Sequence, residues 1–188
     1  MGCRKRGEDL EPLKPRRANP VWAVIQRELI GGAPTAAAPV FTDVFRSGAE
    51  GYASIRIPAL LVTKTGTVLA FAEGRRRPAD QAENDIVMKR STDGGKNWSS
   101  LRVLHDDGAH SLNNPTVVQE QVSGRILVWY QRIPSHLKER SQSTATGLEG
   151  PDIYRNFILT SDDDGATWST PQDVTATTKR VGSRSTPE

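Results

Sequence analysis

The sequence predicts an all-β protein assembled from repeated four-stranded units, and three observations carry that prediction. From about Val40 onward, short apolar runs alternate with turn signals, a texture of strands and tight connections and not of amphipathic helices. The order of runs and turns then returns: Pro58 to Pro115 spans 57 residues, Gly66 to Gly124 spans 58, and Ser91 to Ser161 spans 70. Finally, the pattern Ser-x-Asp-x-Gly-x-(Thr/Asn)-Trp occurs twice, at Ser91–Trp98 and Ser161–Trp168. Four strands per unit, repeated with insertions on one side, is how an array of β-propeller blades reads in sequence.

Residues 1–39 are rich in Pro, Arg, Ala and Gly, with one apolar run from Val21 to Ile25 and a linker at Ala36–Pro39; they are expected to form a flexible basic segment. Residues 40–188 are expected to hold the propeller portion. Its first unit, about 52–105, opens with the runs Ala59–Thr63 and Thr67–Ala72, which Lys64-Thr65-Gly66 joins as a hairpin. Asp85–Lys89 and Leu101–Leu104 complete it. The second unit, about 112–178, repeats the order with Thr116–Gln119, a turn at Ser123-Gly124, Ile126–Tyr130, Tyr154–Thr160 and a last run near Asp173–Thr175. The growing offset places an insertion at Ser135–Pro151, between the second and third strands.

In the repeated turn, Ser91, Asp93, Gly95 and Trp98 correspond to Ser161, Asp163, Gly165 and Trp168. The Asp closes an Asx-type turn onto backbone N–H groups, Gly takes a conformation closed to other residues, and Trp tucks its ring under the hairpin. The motif stabilises a turn and performs no chemistry.

Composition narrows the function. The net charge of +3 arises within the first 17 residues, and the remainder is balanced; without interleaved aromatic residues that tail makes no nucleic-acid face. No stretch approaches the roughly 18 apolar residues of a membrane span. Cys3 is the single cysteine, so neither a disulfide framework nor a cysteine metal site is expected. His105, His110 and His136 lack the close pairing of a zinc helix and read as surface residues. No metal and no cofactor is called for. The basic start is followed by no export core, and Arg6 stands where myristoylation of Gly2 wants Ser or Thr. The chain as given reads as cytoplasmic, or as secreted or lysosomal if residues precede it.

The segments Arg56-Ile57-Pro58 and Ala70-Phe71-Ala72-Glu73-Gly74-Arg75, followed by an Asp box, resemble the exo-α-sialidases of the Arg-Ile-Pro type over residues 40 to about 178. Ile55, where Tyr or Phe is common, and Asn97, where Thr is usual, depart from the pattern. The resemblance implies a six-bladed propeller that releases terminal sialic acid from a sialylated glycan. A sialoside carries a carboxylate at its anomeric carbon, which planar guanidinium groups orient best; by resemblance Arg56 is the first of three such arginines. The leaving group needs a proton from a carboxylic acid. The resemblance places that acid five residues after Arg75, at Asp80, with Glu83 and Asp85 as competitors. Arg75 is the family's further binding position, while Arg76 and Arg77 read as an ordinary charged loop.

In the second unit, Asn113-Asn114-Pro115 heads its strand as Arg56-Ile57-Pro58 heads the first. Asn114 is thereby directed to the same central funnel; the resemblance to animal sialidases sets it beside the sugar's N-acetyl and ring-hydroxyl side, and Ile133-Pro134 with Glu139 resembles the loop that meets the glycerol tail. The family's tyrosine nucleophile, its activating glutamate and its other two arginines lie in later blades, and Tyr52, Tyr130 and Tyr154 match none of those places. At 57 to 70 residues per unit, a six-bladed ring needs roughly 340 to 420 residues. The chain is therefore expected to be an N-terminal portion, inactive alone, with open blade edges and open inter-blade apolar faces, such as that around Ile126–Tyr130, prone to self-association. The alternative is a non-catalytic sialidase-like module that binds a glycan or a protein.

Overall fold

The computed structural model describes residues 41–138 and 147–180 and forms two four-stranded antiparallel sheets, each a simple meander. The first joins β1 (Ser54–Val62), β2 (Val68–Arg75), β3 (Asn84–Ser91) and β4 (Arg102–His105); the second joins β5 (Ser111–Gln119), β6 (Ile126–Ile133), β7 (Arg155–Ser161) and β8 (Gln172–Asp173). These are two propeller blades in sequence order. The basic segment 1–39 and Glu139 lie outside the described residues. Among the described residues no helix is long and apolar enough to cross a membrane.

Strand alternation decides which side chains meet. Leu69 and Phe71 of β2 and Ile86 and Met88 of β3 point one way, against Leu112, Ile126, Val128, Tyr130 and Leu159 of the second blade, in one buried core. Ala72 and Val87 point the other way and are covered by Tyr52, Phe45, Ile55 and Leu101. At roughly 1.5–3 kcal/mol for each large apolar side chain buried, the shared core outweighs exposed ion pairs worth about 1 kcal/mol or less. The alternation also corrects the expectation of an open apolar face across Ile126–Tyr130. Ile126, Val128 and Tyr130 are fully buried between the blades, and only Leu127 and Trp129 turn the less covered way.

Both blades carry the same irregularity in their first strand. In β1 two residues between Arg56 and Ala59, Ile57 and Pro58, face one on β2, Ala72, and in β5 two between Asn113 and Thr116, Asn114 and Pro115, face one on β6, Tyr130. The first residue of each bulge is left-handed, Ile57 at φ 52° and Asn114 at φ 57°. Proline follows in both cases, tolerated because the ladder is already broken there. Arg56 and Asn113 therefore occupy equivalent stations, inside strands and not at their heads.

Two further expectations are revised. The last run ends as β8 at Asp173, and Thr175–Thr178 forms a single helical turn, α1. The Thr175 hydroxyl oxygen accepts the Asn156 N–H at 2.9 Å, a bond that favours the turn over a continued strand. His105 is not a surface residue: its Nδ1 lies 2.7 Å from the Tyr130 hydroxyl, between the blades, and burial pushes the imidazole down from its ordinary pKa.

Candidate active site

β2 delivers Glu73 and Arg75 on one face, two residues apart. Glu73 is fully buried and Arg75 is 3 % exposed. Arg75 donates from Nε to Glu73 Oε2 at 2.8 Å, and its Nη2 pairs with the same oxygen at 2.6 Å. The other end of the guanidinium, Nη1, donates to the Ala79 carbonyl at 3.0 Å and to Asp80 Oδ1 at 2.8 Å. A continuous chain thus runs from Glu73 through Arg75 to Asp80. Burial pushes the Glu73 carboxyl above its ordinary pKa, opposed by hydrogen bonds from the Asn114 N–H, Arg75 and Asn113. Removing Arg75 would leave that carboxylate unpaired in the interior, which costs far more than losing a surface pair.

Asp80 sits on the loop between β2 and β3 with its side chain 63 % exposed. Asn84 fixes the backbone of that loop: its Nδ2 donates to the Asp80 carbonyl at 2.6 Å, and its Oδ1 accepts the Ala82 N–H at 3.2 Å. Arg56, from the bulge of β1, reaches Asp80 Oδ1 at 4.0 Å with its side chain 59 % exposed. The structure therefore brings Arg56, Arg75 and Asp80 together. An arginine and a carboxylate stand free to engage a ligand, and a second arginine is spent on holding the carboxylate.

The neighbouring blade completes a hollow lined by Ile57, Glu73, Arg75 and Asp80 from the first blade and by Asn113, Asn114, Gln131, Ile133 and Tyr154 from the second. Asn114 and Ile133 face it as expected; Glu139 lies outside the described residues. Glu73 stitches the blades, accepting the Asn114 N–H at 2.8 Å and Asn113 Nδ2 at 3.3 Å on Oε1. The competitors for the acid position are engaged elsewhere. Asp85 is buried and accepts the Tyr52 hydroxyl at 2.5 Å and Arg76 at 2.8 Å, and Glu83 pairs with Arg77 at 2.7 Å. Arg76 and Arg77, both exposed, are the partners of those carboxylates on this charged loop.

Sequence reasoning missed Glu73, Asn113, Gln131, Tyr154 and Ile57 as lining residues. Glu73 could have been found, because a charge directly after the apolar run Val68–Ala72, within the same central strand, demands an internal partner. Tyr154 is buried, packs with Ile133 and Leu137, and donates to the Lys138 carbonyl at 3.0 Å. Among the described residues no group of His, Cys, Asp and Glu could hold a metal ion.

Comparison with known proteins gives concordant results. A BNR repeat-like domain matches residues 66–183. An exo-α-sialidase of Arthroderma benhamiae is 35 % identical over 155 residues, covering 72 % of this chain and 36 % of that protein. A sialidase of Micromonospora viridifaciens is 31 % identical over 156 residues, covering 76 % of this chain and 23 % of its own length. The chain therefore spans about a third or less of these relatives. Among solved structures, a Hadza microbial sialidase superimposes with a TM-score of 0.63 at 27 % identity, over 69 % of this chain and 28 % of its own.

Proposed function

We propose, on the premise that this chain belongs to the BNR repeat-like domain family, that its two blades are part of an exo-α-sialidase, a glycoside hydrolase releasing terminal sialic acid from glycoconjugates. The observation that carries this reading is the convergence of Arg56 and Arg75 on Asp80, beside a hollow between the blades that Arg75 and Asp80 line. Arg56, exposed and backed by no buried partner, receives the sugar's anomeric carboxylate through paired guanidinium donors. Asp80, held by Arg75 and Asn84, protonates the glycosidic oxygen as the bond to the leaving alcohol breaks. The substrate contact that resemblance assigns to Arg75 is refined by its bonding, since both of its ends are engaged by Glu73, Ala79 and Asp80. Arg75 serves mainly as the group that positions the acid. Asn114 and Ile133 border the sugar from the second blade, and Glu139 is assigned to the glycerol-tail loop by resemblance alone.

The nucleophile is not among the tyrosines of this segment: Tyr52 is tied to Asp85, Tyr130 to His105 and Tyr154 to Lys138. Further blades supply it in the complete ring. In a complete sialidase carrying these two blades, Asp80→Ala is expected to slow natural sialosides by about 10²–10⁴-fold, the span of general acid catalysis. Aryl sialosides, whose leaving groups need little protonation, should lose far less. Steady-state kinetics on both substrates decide the point, and equal losses would remove Asp80 from the acid role.

A further inference from the structure

We infer that Tyr52 is a positioning residue for the proton-donating carboxyl of Asp80, clamping the two ends of the loop that carries Asp80 from the far side of the sheet. This deepens the sialidase reading and rests on it. The loop leaves β2 at Arg76 and returns at the start of β3, and the Arg76 N–H closes its neck by donating to the Ala82 carbonyl at 3.1 Å. Strand alternation turns Glu73 and Arg75 towards the hollow and Gly74 and Arg76 away from it. Asp85, the register partner of Gly74, faces away with them. Tyr52 is buried on that far face with Ala72 and Val87 and does not line the hollow. Its ring therefore backs the strand that presents Glu73 and Arg75 without meeting a ligand there.

Three contacts make the clamp. The Tyr52 hydroxyl donates to Asp85 Oδ2 at 2.5 Å and Arg76 Nη2 donates to the same oxygen at 2.8 Å, so one buried carboxylate joins the residue that opens the loop to the strand that ends it. The Arg76 guanidinium also lies 4.9 Å from the centre of the Tyr52 ring, within reach of a cation–π attraction, and 3.5 Å from Asp106 Oδ2. Finally, a Cβ on Gly74 would come within 2.7 Å of the Tyr52 ring, so the ring rests directly on the backbone between Glu73 and Arg75. Burial and the Asp85 carboxylate push the Tyr52 hydroxyl above its ordinary pKa, which keeps the phenol protonated and donating. Burial also raises Asp85, opposed by the Tyr52 hydrogen bond and the Arg76 charge. Without Tyr52 that buried carboxylate is left short of a donor, and the Arg76 end of the loop is freed to move. Arg75 and Asn84 hold Asp80 on the hollow side; the clamp holds the strand ends from which both of them reach.

The test is steady-state kinetics on a natural and an aryl sialoside, with the complete protein that carries these two blades. Tyr52→Phe keeps the ring and removes the donor. It should slow the natural sialoside about tenfold through misplacement of the acid and the aryl sialoside by less than about twofold, because only the natural leaving group depends on protonation. In an Asp80→Ala background the same substitution should cost nothing further on the natural sialoside, as expected when one residue acts through the other. Equal losses on both substrates, no loss on either, or losses that multiply with those of Asp80→Ala overturn the inference and leave the sialidase reading standing. A loss in Asp80→Ala itself that is equal on both substrates removes the acid role and the inference with it. Absence of sialoside turnover in the unmodified protein overturns the sialidase reading as well. If Tyr52→Phe fails to fold, Arg76→Gln opens the exposed arm of the clamp and leaves the bond between Tyr52 and Asp85 in place. It should show the same selective loss at about threefold, and equal or absent losses there overturn the inference too.

Discussion

The two Asp-box turns are nearly identical inside and differ outside. In both, the serine hydroxyl oxygen accepts the glycine N–H at 2.9 Å, the Asp gathers the N–H and side chain of the residue before Trp, and the indole donates to the glycine carbonyl. Asn97 bonds Asp93 through Nδ2 as Thr167 bonds Asp163 through its hydroxyl, so the departure from the usual Thr leaves the turn intact. The second turn, however, docks on the first blade. Trp168 meets the Phe71 ring edge-on at 5.7 Å. Asp164, left-handed at φ 61°, accepts Arg90 Nε on its carbonyl at 3.0 Å and the Thr65 hydroxyl on its carboxylate at 2.7 Å. The first turn has Gly94 at that place and nothing equivalent. The motif therefore has two separable parts, a self-sufficient turn and an outer surface that acts only where another blade lies beside it.

Substitutions that touch only the outer surface separate the two parts. Gly165→Ala should have the largest effect, because a Cβ there would come within 2.8 Å of both Leu69 methyl carbons at a backbone φ of 79°. Overpacking and left-handed strain together predict a loss of about 3 kcal/mol. Gly95→Ala, at φ 87° with only the Trp98 ring at 3.7 Å, should lose about 1 kcal/mol from backbone strain alone. Urea unfolding of the two variants makes the comparison, and equal losses would break it. Next, Trp168→Ala should cost about 2 kcal/mol for a half-buried indole with an aromatic partner, against about 1 kcal/mol for Trp98→Ala. Acid should not distinguish the turns at all. Hydrogen bonds from Asn97 hold Asp93, and hydrogen bonds from Thr167 hold Asp163, at a pKa of about 2 against the ordinary 3.8. A carboxylate lowered by folding contributes stability that is present above pH 3.8 and is lost as pH falls towards 2. Carboxylate NMR titration should find both midpoints together near the lower value.

The repeat, the hairpins and both Asp boxes were legible in the sequence because each is written in local residue chemistry: Gly at turns, alternating apolar runs, Asp before Gly and Trp. The bulges were not. Ile57 is β-branched and left-handed against its own preference, held there by the sheet around it, and Asn113-Asn114-Pro115 reads as a strand breaker until the bulge is seen to absorb it. At the site, Arg56 and Asp80 stood out through spacing within a known pattern. The Glu73–Arg75 pair and the bond from Asn113 to Glu73 depend on how two blades meet, a long-range arrangement that no local window contains. His105 went unrecognised for the same reason, since its partner Tyr130 comes from the other blade.

The doubled bulge also bears on how such a site changes over generations. The same kink forms around Ile57 and around Asn114, followed by proline each time and preceded by arginine in one blade and asparagine in the other. Because the backbone path survives such different side chains, the residue at each station can drift without rebuilding the sheet beneath it. In these two blades the kink is thereby a backbone property, set by the bulge and the proline that follows, and the side chain that precedes it is a separate choice.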